Sequence, residues 1–144
     1  MPIIIDANRA GDFSAPLQGH ALEIISRIRE QKMSVVLGGK LTQELYKTKL
    51  KGLLIEWLRS GRVKRIDDRD LIAEEARLND LQLASNDSHV LALAIKTGCR
   101  LLYSADDNLI IDFKNVRVIS PKGKVVKPTT RRHIAITMFN NHGV

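Results

Sequence analysis

Short apolar runs and amphipathic stretches alternate along most of the chain. Each short run, typical of a strand buried on both faces, predicts one strand: residues 3–5, 34–37, 62–66, 100–103 and 115–119. Apolar residues at helical spacing predict helices in between: residues 16–31, 42–60, 67–80, 87–97 and, as one short turn, 108–113. This alternation predicts a three-layer α/β/α sandwich with a mainly parallel central sheet of about five strands.

Four residues predict where individual helices begin, break or end. Pro16 suits the first turn of the first helix, and Thr42 is the expected N-cap of the second. We expect Gly52 to split residues 42–60 into two helices. Gly98 is expected to end the helix over residues 87–97 as its C-cap.

The pattern changes after residue 119. Residues 120–123 predict a turn that reverses into residues 124–126 as a small hairpin, and the stretch after Pro128 mixes arginines with apolar residues without a clear period. We therefore divide the chain into an α/β domain over residues 1–120 and a basic C-terminal extension over residues 121–144. The extension is expected to combine the hairpin with a partner-binding arm.

Composition narrows the class of protein. The 144 residues fit one domain, and a net charge of +7 favours an anionic partner, with nucleic acid ahead of a membrane. The single Cys99 excludes an internal disulfide, and Asp6 interrupts the N-terminal apolar run before it could act as a signal peptide. No run approaches the roughly 18 apolar residues of a membrane span. We expect a soluble, cytoplasmic protein.

Four acidic residues fall at matching places in the predicted fold. Asp6 and Asp106 follow the first and fourth strands, while Glu44 and Asp87 open helices. In a parallel sheet all four lie at the same edge, where ligands of open α/β sheets bind. Like charges at one site repel, and a divalent cation removes that conflict. Carboxylate oxygens suit Mg²⁺ or Mn²⁺.

Each acid also has an ordinary structural interpretation. Asp6 is a plausible turn former, Asp87 and Asp106 are plausible helix caps, and Glu44 complements a helix dipole. His89, two residues after Asp87, is expected to be a surface or packing residue of its helix. The functional interpretation therefore depends on the four acids lying together.

Four segments resemble the PIN-domain nucleases in order, spacing and local context: IIIDAN (3–8), LTQEL (41–45), NDSHVLALA (86–94) and LLYSAD (101–106). The similarity spans residues 3–119. It implies a Mg²⁺- or Mn²⁺-dependent endoribonuclease that hydrolyses RNA phosphodiester bonds. It also implies the site residues, which are the acidic Asp6, Glu44, Asp87 and Asp106 with the polar Asn8 and Ser104.

The resemblance also suggests partners. Many small family members are toxins of toxin–antitoxin modules, usually homodimers inhibited by an antitoxin protein, and others process RNA. Three features depart from the family pattern: Asp107 adds a second acid beside Asp106, Arg9 replaces a more common apolar residue, and the basic tail exceeds the minimal domain. Asp107 is therefore a supporting candidate at that corner.

The expected chemistry needs no side-chain nucleophile. A metal held by carboxylates activates water and offsets charge on the leaving oxygen. Basic residues near the rim are candidates to hold the RNA backbone, although each is also typical of a solvated helix face: Arg9, Lys40, Lys47 and Lys49.

Two other functions stay open. One is a PIN-like RNA-processing or defence factor whose tail binds a larger assembly. The other is a non-catalytic module, either a nucleic-acid-binding domain or a phospho-receiver domain with Asp6 in an acidic pocket. The usual positions of the receiver's phosphoacceptor and lysine cannot be placed in this chain, which disfavours the receiver.

Overall fold

Five short strands form one parallel sheet in the computed structural model, which describes residues 1–141. In chain order they are β1 (Pro2–Ile5), β2 (Ser34–Leu37), β3 (Val63–Arg65), β4 (Leu101–Tyr103) and β5 (Lys124–Val126). The order across the sheet is β3-β2-β1-β4-β5, and every neighbouring pair is parallel. The predicted α/β fold with a parallel sheet is confirmed.

Helices connect the strands. A 3-10 segment (Ala7–Phe13) follows β1, and the α-helices are α1 (Ala21–Arg29), α2 (Gly39–Tyr46), α3 (Lys51–Arg59), α4 (Asp68–Asn79), α5 (Ser88–Thr97), α6 (Asp107–Phe113) and α7 (Arg132–Asn141). Of the helices within residues 1–141, none combines the length and the apolar character needed to cross a membrane.

The centre of the sheet is fully buried. All three isoleucines of β1 and all three residues of β4 are inaccessible to solvent, as expected for central parallel strands. Ile5 pairs with Tyr103 at the carboxyl ends of these strands. The residues that follow, Asp6 and Ser104, therefore leave the sheet side by side.

Several predicted helix boundaries were wrong. α1 begins at Ala21 and not near Pro16, because Gly19 takes a left-handed φ of 54° and interrupts the helix. Thr42 lies inside α2, which begins at Gly39. The break between α2 and α3 comes at Thr48, whose hydroxyl donates to the Leu45 carbonyl and accepts from the Leu50 N–H.

The fifth strand was also misplaced. Residues 115–119 form turns in which Val118 and Ile119 both donate to the Asn115 carbonyl. β5 is instead formed by Lys124–Val126, and it runs parallel to β4, so the predicted hairpin is wrong. The stretch after Pro128 becomes α7, and Ala135 and Phe139 of this helix are buried. Residues 142–144 of the predicted arm lie outside the described residues.

We predict that Gly123→Ala destabilises the fold by about 1–3 kcal/mol, the usual cost of overpacking. A Cβ on Gly123 would collide with the Phe113 ring and lie 2.9 Å from the Phe113 carbonyl oxygen, just before β5. Urea denaturation measures the change in the free energy of unfolding.

Gly52→Ala is the matched control. Among the described residues, no atom lies within 4 Å of a Cβ added there, and the position is inside α3. This change should stabilise the protein by about 0.5–1 kcal/mol. A Gly123→Ala protein as stable as wild type would contradict the placement of β5 against α6.

Candidate active site

Asp6 is fixed at the sheet edge by β4 and the residue that follows it. Its N–H donates to the Tyr103 carbonyl at 3.0 Å, which extends the β1–β4 pairing by one residue. The Ser104 hydroxyl donates to Asp6 Oδ2 at 2.6 Å, and Ser104 is fully buried. The Asp6 carboxylate therefore has a fixed direction above the carboxyl ends of the two central strands.

Asp106 is held by the same serine and by its own helix. Its N–H donates to Ser104 Oγ at 3.1 Å, and its Oδ1 accepts from the N–H groups of Asn108 (3.0 Å) and Leu109 (3.2 Å). Asp106 is therefore the N-cap of α6, so the capping interpretation is correct for this residue. That cap uses one oxygen of a carboxylate that also acts electrostatically on Asp6 and Asp87.

Asp87 occupies the N-cap position of α5, but within residues 1–141 its side chain caps no N–H of that helix. The loop before it is held by the buried Asp112 on α6. The Asp112 carboxylate accepts from the N–H groups of Ala84 (2.8 Å) and Ser85 (2.9 Å) and from the Ser85 hydroxyl (2.7 Å). Ser85 Oγ in turn accepts from the Asp87 N–H at 3.3 Å. Asp112 therefore positions Asp87 through Ser85 and the loop that precedes α5.

Burial and neighbouring carboxylates disfavour the ionised forms of Asp6 and Asp87. Burial is the main cause that raises the pKa of Asp6, and the Asp106 charge raises it further against the hydrogen bonds of Ser104 and the Asn8 backbone. Burial also raises the pKa of Asp87, and the charges of Asp6 and Asp106 add to this effect. Asp6, Asp87 and Asp106 thus lie within electrostatic range of one another, as an acidic cluster.

The donor set of the acidic cluster suits a hard divalent cation. Its donor atoms are carboxylate oxygens, which Mg²⁺ and Mn²⁺ prefer, and a positive charge would offset both the burial and the repulsion that raise the pKa values of Asp6 and Asp87. Within residues 1–141, no three His, Cys, Asp or Glu side chains form a ready-made metal-binding group. The fit therefore depends on charge and donor chemistry.

Glu44 contacts a histidine that lies two residues after Asp87 of the acidic cluster. Glu44 Oε1, on α2, lies 2.7 Å from Nε2 of His89, in the first turn of α5. The His89 side chain is only 7% exposed, whereas that of Glu44 is 38% exposed. The electrostatic effect of His89 partly offsets the rise in the pKa of Asp87, two residues before it, so His89 lies close to both acids.

The other candidate residues make different contacts and differ in their exposure to solvent. Asn8 contributes a backbone hydrogen bond that favours ionised Asp6. Arg9 forms an ion pair of 3.6 Å with Asp12 of the same 3-10 segment. Asp107 points to solvent, 83% exposed, and pairs with Lys127 at 3.2 Å. Three lysines on or just after α2 are exposed: Lys40, Lys47 and Lys49.

Sequence reasoning missed two supporting residues. Asp112 lies in the last turn of the short helix α6, and the amides that it binds come 27 and 28 residues earlier in the chain. His89 was expected to be a surface or packing residue, yet it contacts an acid 45 residues away. No local pattern in the sequence predicts either contact. The one feature that suggests a buried hydrogen-bond partner is the position of Asp112 among apolar residues of α6.

The fold and the acidic cluster define an α/β domain with a candidate ligand site at the carboxyl ends of its strands. A family model described as PIN domain matches residues 20–117, more than half of the chain, so the protein belongs to the PIN-domain family. PIN domains are generally nucleases and typically use divalent metals. Searches of curated proteins and of solved structures found no significant match. The family match includes Glu44, Asp87 and Asp106, whereas Asp6 precedes it.

We predict that Asp6→Asn stabilises the metal-free protein at neutral pH by about 0.5–2 kcal/mol. The folded-state pKa of Asp6 is raised, so its stabilising contribution is fully present below the unfolded pKa and is lost as pH rises through the folded pKa. At neutral pH the ionised carboxylate is a net cost, and an amide oxygen can still accept from Ser104.

Thermal denaturation with chelator, at pH 7 and at pH 3, measures this effect. The gain should be present at pH 7 and absent at pH 3, which lies below the ordinary aspartate pKa of about 3.9. Asp80→Asn, at an exposed position after α4, is the control and should change stability little at either pH. Equal or lower stability of Asp6→Asn at pH 7 would contradict the prediction.

We predict that Asp112→Ala destabilises the fold by about 2–4 kcal/mol, because two partly buried N–H groups and a hydroxyl lose the carboxylate that accepts their hydrogen bonds. Amide hydrogen exchange at Ala84 and Ser85 should accelerate with it. Asp107→Ala on the same helix is the control, since that side chain is 83% exposed and should cost little. Unchanged exchange at the two amides would show that Asp112 does not hold the loop.

Proposed function

We propose that this protein is a Mg²⁺- or Mn²⁺-dependent endoribonuclease that hydrolyses RNA phosphodiester bonds. The observation that carries the proposal is the acidic cluster of Asp6, Asp87 and Asp106 at the carboxyl ends of the central strands of a PIN domain. The choice of RNA follows from the resemblance of the four sequence segments to PIN nucleases.

Each acid has a defined role in this proposal. Asp6, Asp87 and Asp106 bind the cation, directly or through water, and Ser104 keeps the Asp6 carboxylate aimed at it. Glu44 completes the site or positions the attacking water. A bound Mg²⁺ or Mn²⁺ would activate that water and offset the charge that develops on the leaving oxygen.

The substrate is held by charge. A net charge of +7 attracts a polyanion, and the exposed Lys40, Lys47 and Lys49 extend from the helix that carries Glu44. Contacts from such lysines to phosphates supply affinity and register without selecting bases. Arg9, paired with Asp12 next to Asp6, would exchange that partner for a phosphate when RNA binds.

The biological setting proposed is the toxin half of a toxin–antitoxin module, acting in the cytoplasm as a homodimer that an antitoxin protein inhibits. The support is its membership of the PIN-domain family and the resemblance of its sequence segments to the toxin-type members. Expression from an inducible promoter tests it. Growth arrest that a neighbouring gene product relieves would support a toxin, whereas normal growth favours an RNA-processing or defence role.

We predict that Asp87→Asn lowers the rate of RNA cleavage by at least about 100-fold, since it removes a charge from the cation site. The measurement is cleavage of end-labelled RNA by the purified chain with Mn²⁺, with Mg²⁺ and with chelator. Asp80→Asn is the matched control and should cleave as wild type does.

Thermal stability gives an independent measurement of the same site. Mn²⁺ at about 100 times its dissociation constant should stabilise wild type by about 2.7 kcal/mol and should stabilise Asp87→Asn much less. Identical products from wild type and Asp87→Asn would mean that cleavage occurs elsewhere. RNA that binds equally well with chelator and is never cut would instead indicate a non-catalytic binding module.

A further inference from the structure

We propose that His89 is a positioning residue that holds the Glu44 carboxylate beside the acidic cluster. The proposal rests on the function proposed above, in which Glu44 belongs to the cation site. It starts from one contact: His89 Nε2 lies 2.7 Å from Glu44 Oε1. That contact joins α2 to α5 at the edge of the sheet where Asp87 lies.

The chemistry of the contact fixes its direction. An ionised carboxylate oxygen can only accept, so the His89 ring nitrogen donates, and hydrogen bonds to a charged acceptor are short and strong. The contact occupies Oε1 and leaves Oε2 of the same carboxylate available to bind a cation or a water. A single ring N–H therefore orients the group without using all of its oxygen atoms.

Glu44 needs such support more than the aspartates do. Its side chain has three rotatable bonds and is 38% exposed, so without a restraint it would sample many rotamers and lose that freedom when it is ordered at a cation. The Asp6 carboxylate, by contrast, accepts from the buried Ser104 hydroxyl, and the Asp106 carboxylate accepts from two N–H groups of its own helix. His89 supplies a comparable restraint for the Glu44 carboxylate.

His89 is itself rigid. Its side chain is 7% exposed, and the next five residues of α5, residues 90–94, are all buried. The helix ends at Gly98 with a left-handed φ of 74°, and its start is held by the Asp112 contacts to the preceding loop. Asp87 and His89 therefore keep a constant separation, and Glu44 is positioned relative to Asp87.

The experiment is a double-mutant cycle on the full chain with Glu44→Ala and His89→Leu. The primary readout is the Mn²⁺ dissociation constant from titration calorimetry, and kcat and KM for RNA are measured beside it. We expect His89→Leu to weaken Mn²⁺ binding about 10- to 100-fold, the usual effect of losing a hydrogen-bond partner of a ligand. The double variant should bind Mn²⁺ no more weakly than Glu44→Ala alone.

Conservative and control variants separate positioning from folding. His89→Gln keeps an N–H donor at a similar reach and should recover most of the lost affinity. His133→Gln, at an exposed position on α7, should bind Mn²⁺ as wild type does. Thermal denaturation of every variant reports whether the fold is intact, so recovery by glutamine at equal stability supports the positioning role.

Three results would overturn the proposal. The first is wild-type Mn²⁺ affinity in His89→Leu, and the second is no recovery of affinity in His89→Gln. The third is a double variant whose loss of Mn²⁺ affinity equals, to within about 2-fold, the product of the losses in Glu44→Ala and His89→Leu, because the two residues would then act independently. Failure of the proposed nuclease function can be distinguished from failure of the positioning role. A wild type that shows the coupling but never cuts RNA contradicts the nuclease alone, and one that cuts RNA without the coupling contradicts the positioning role alone. A wild type that binds no Mn²⁺ overturns both.

Discussion

The pairing of β1 with β4 is the constraint on which the candidate site depends. These strands are adjacent in the sheet although about a hundred residues separate them in the chain, and their register sets Ile5 opposite Tyr103. The following residues, Asp6 and Ser104, then meet at 2.6 Å, and Ser104 also receives the Asp106 N–H. A slip of one residue would turn these side chains to opposite faces of the sheet. The site is therefore as well defined as the register.

The same arrangement works against stability. Three carboxylates share a partly buried edge, and the pKa values of Asp6 and Asp87 are raised as a result. The apolar sheet offsets this cost, since β1, β4 and most of α5 are inaccessible to solvent. A site that destabilises the empty protein and gains from a bound cation is typical of proteins that keep function at the expense of stability.

Features of the fold and the site that depend on neighbouring residues could be predicted from the sequence, whereas features that depend on residues far apart in the chain could not. Four of the five strands were located correctly, and so were Asp6, Asp87 and Asp106 at sheet ends and helix starts, because apolar runs and caps are local signals. β5 was misplaced because residues 115–119 and 124–126 are both short runs with apolar residues, and the choice between them is made by long-range contacts, namely the pairing with β4 and the contact of Gly123 with Phe113. Asp112 and His89 act across 27 to 45 residues, which no local pattern encodes.

Two helix N-termini explain how the acidic cluster is tolerated without a cation. Asp87 is at the start of α5 and Asp106 at the start of α6, where the partial positive charge of each helix favours a carboxylate. Each helix end contributes only about 0.3–1 kcal/mol at a partly exposed site. That is too little to cancel the repulsion, because burial and neighbouring charges still raise the pKa of Asp87. A divalent ion would neutralise the negative charge that remains. The two helix N-termini therefore reduce the repulsion among the carboxylates without removing the site's preference for a cation.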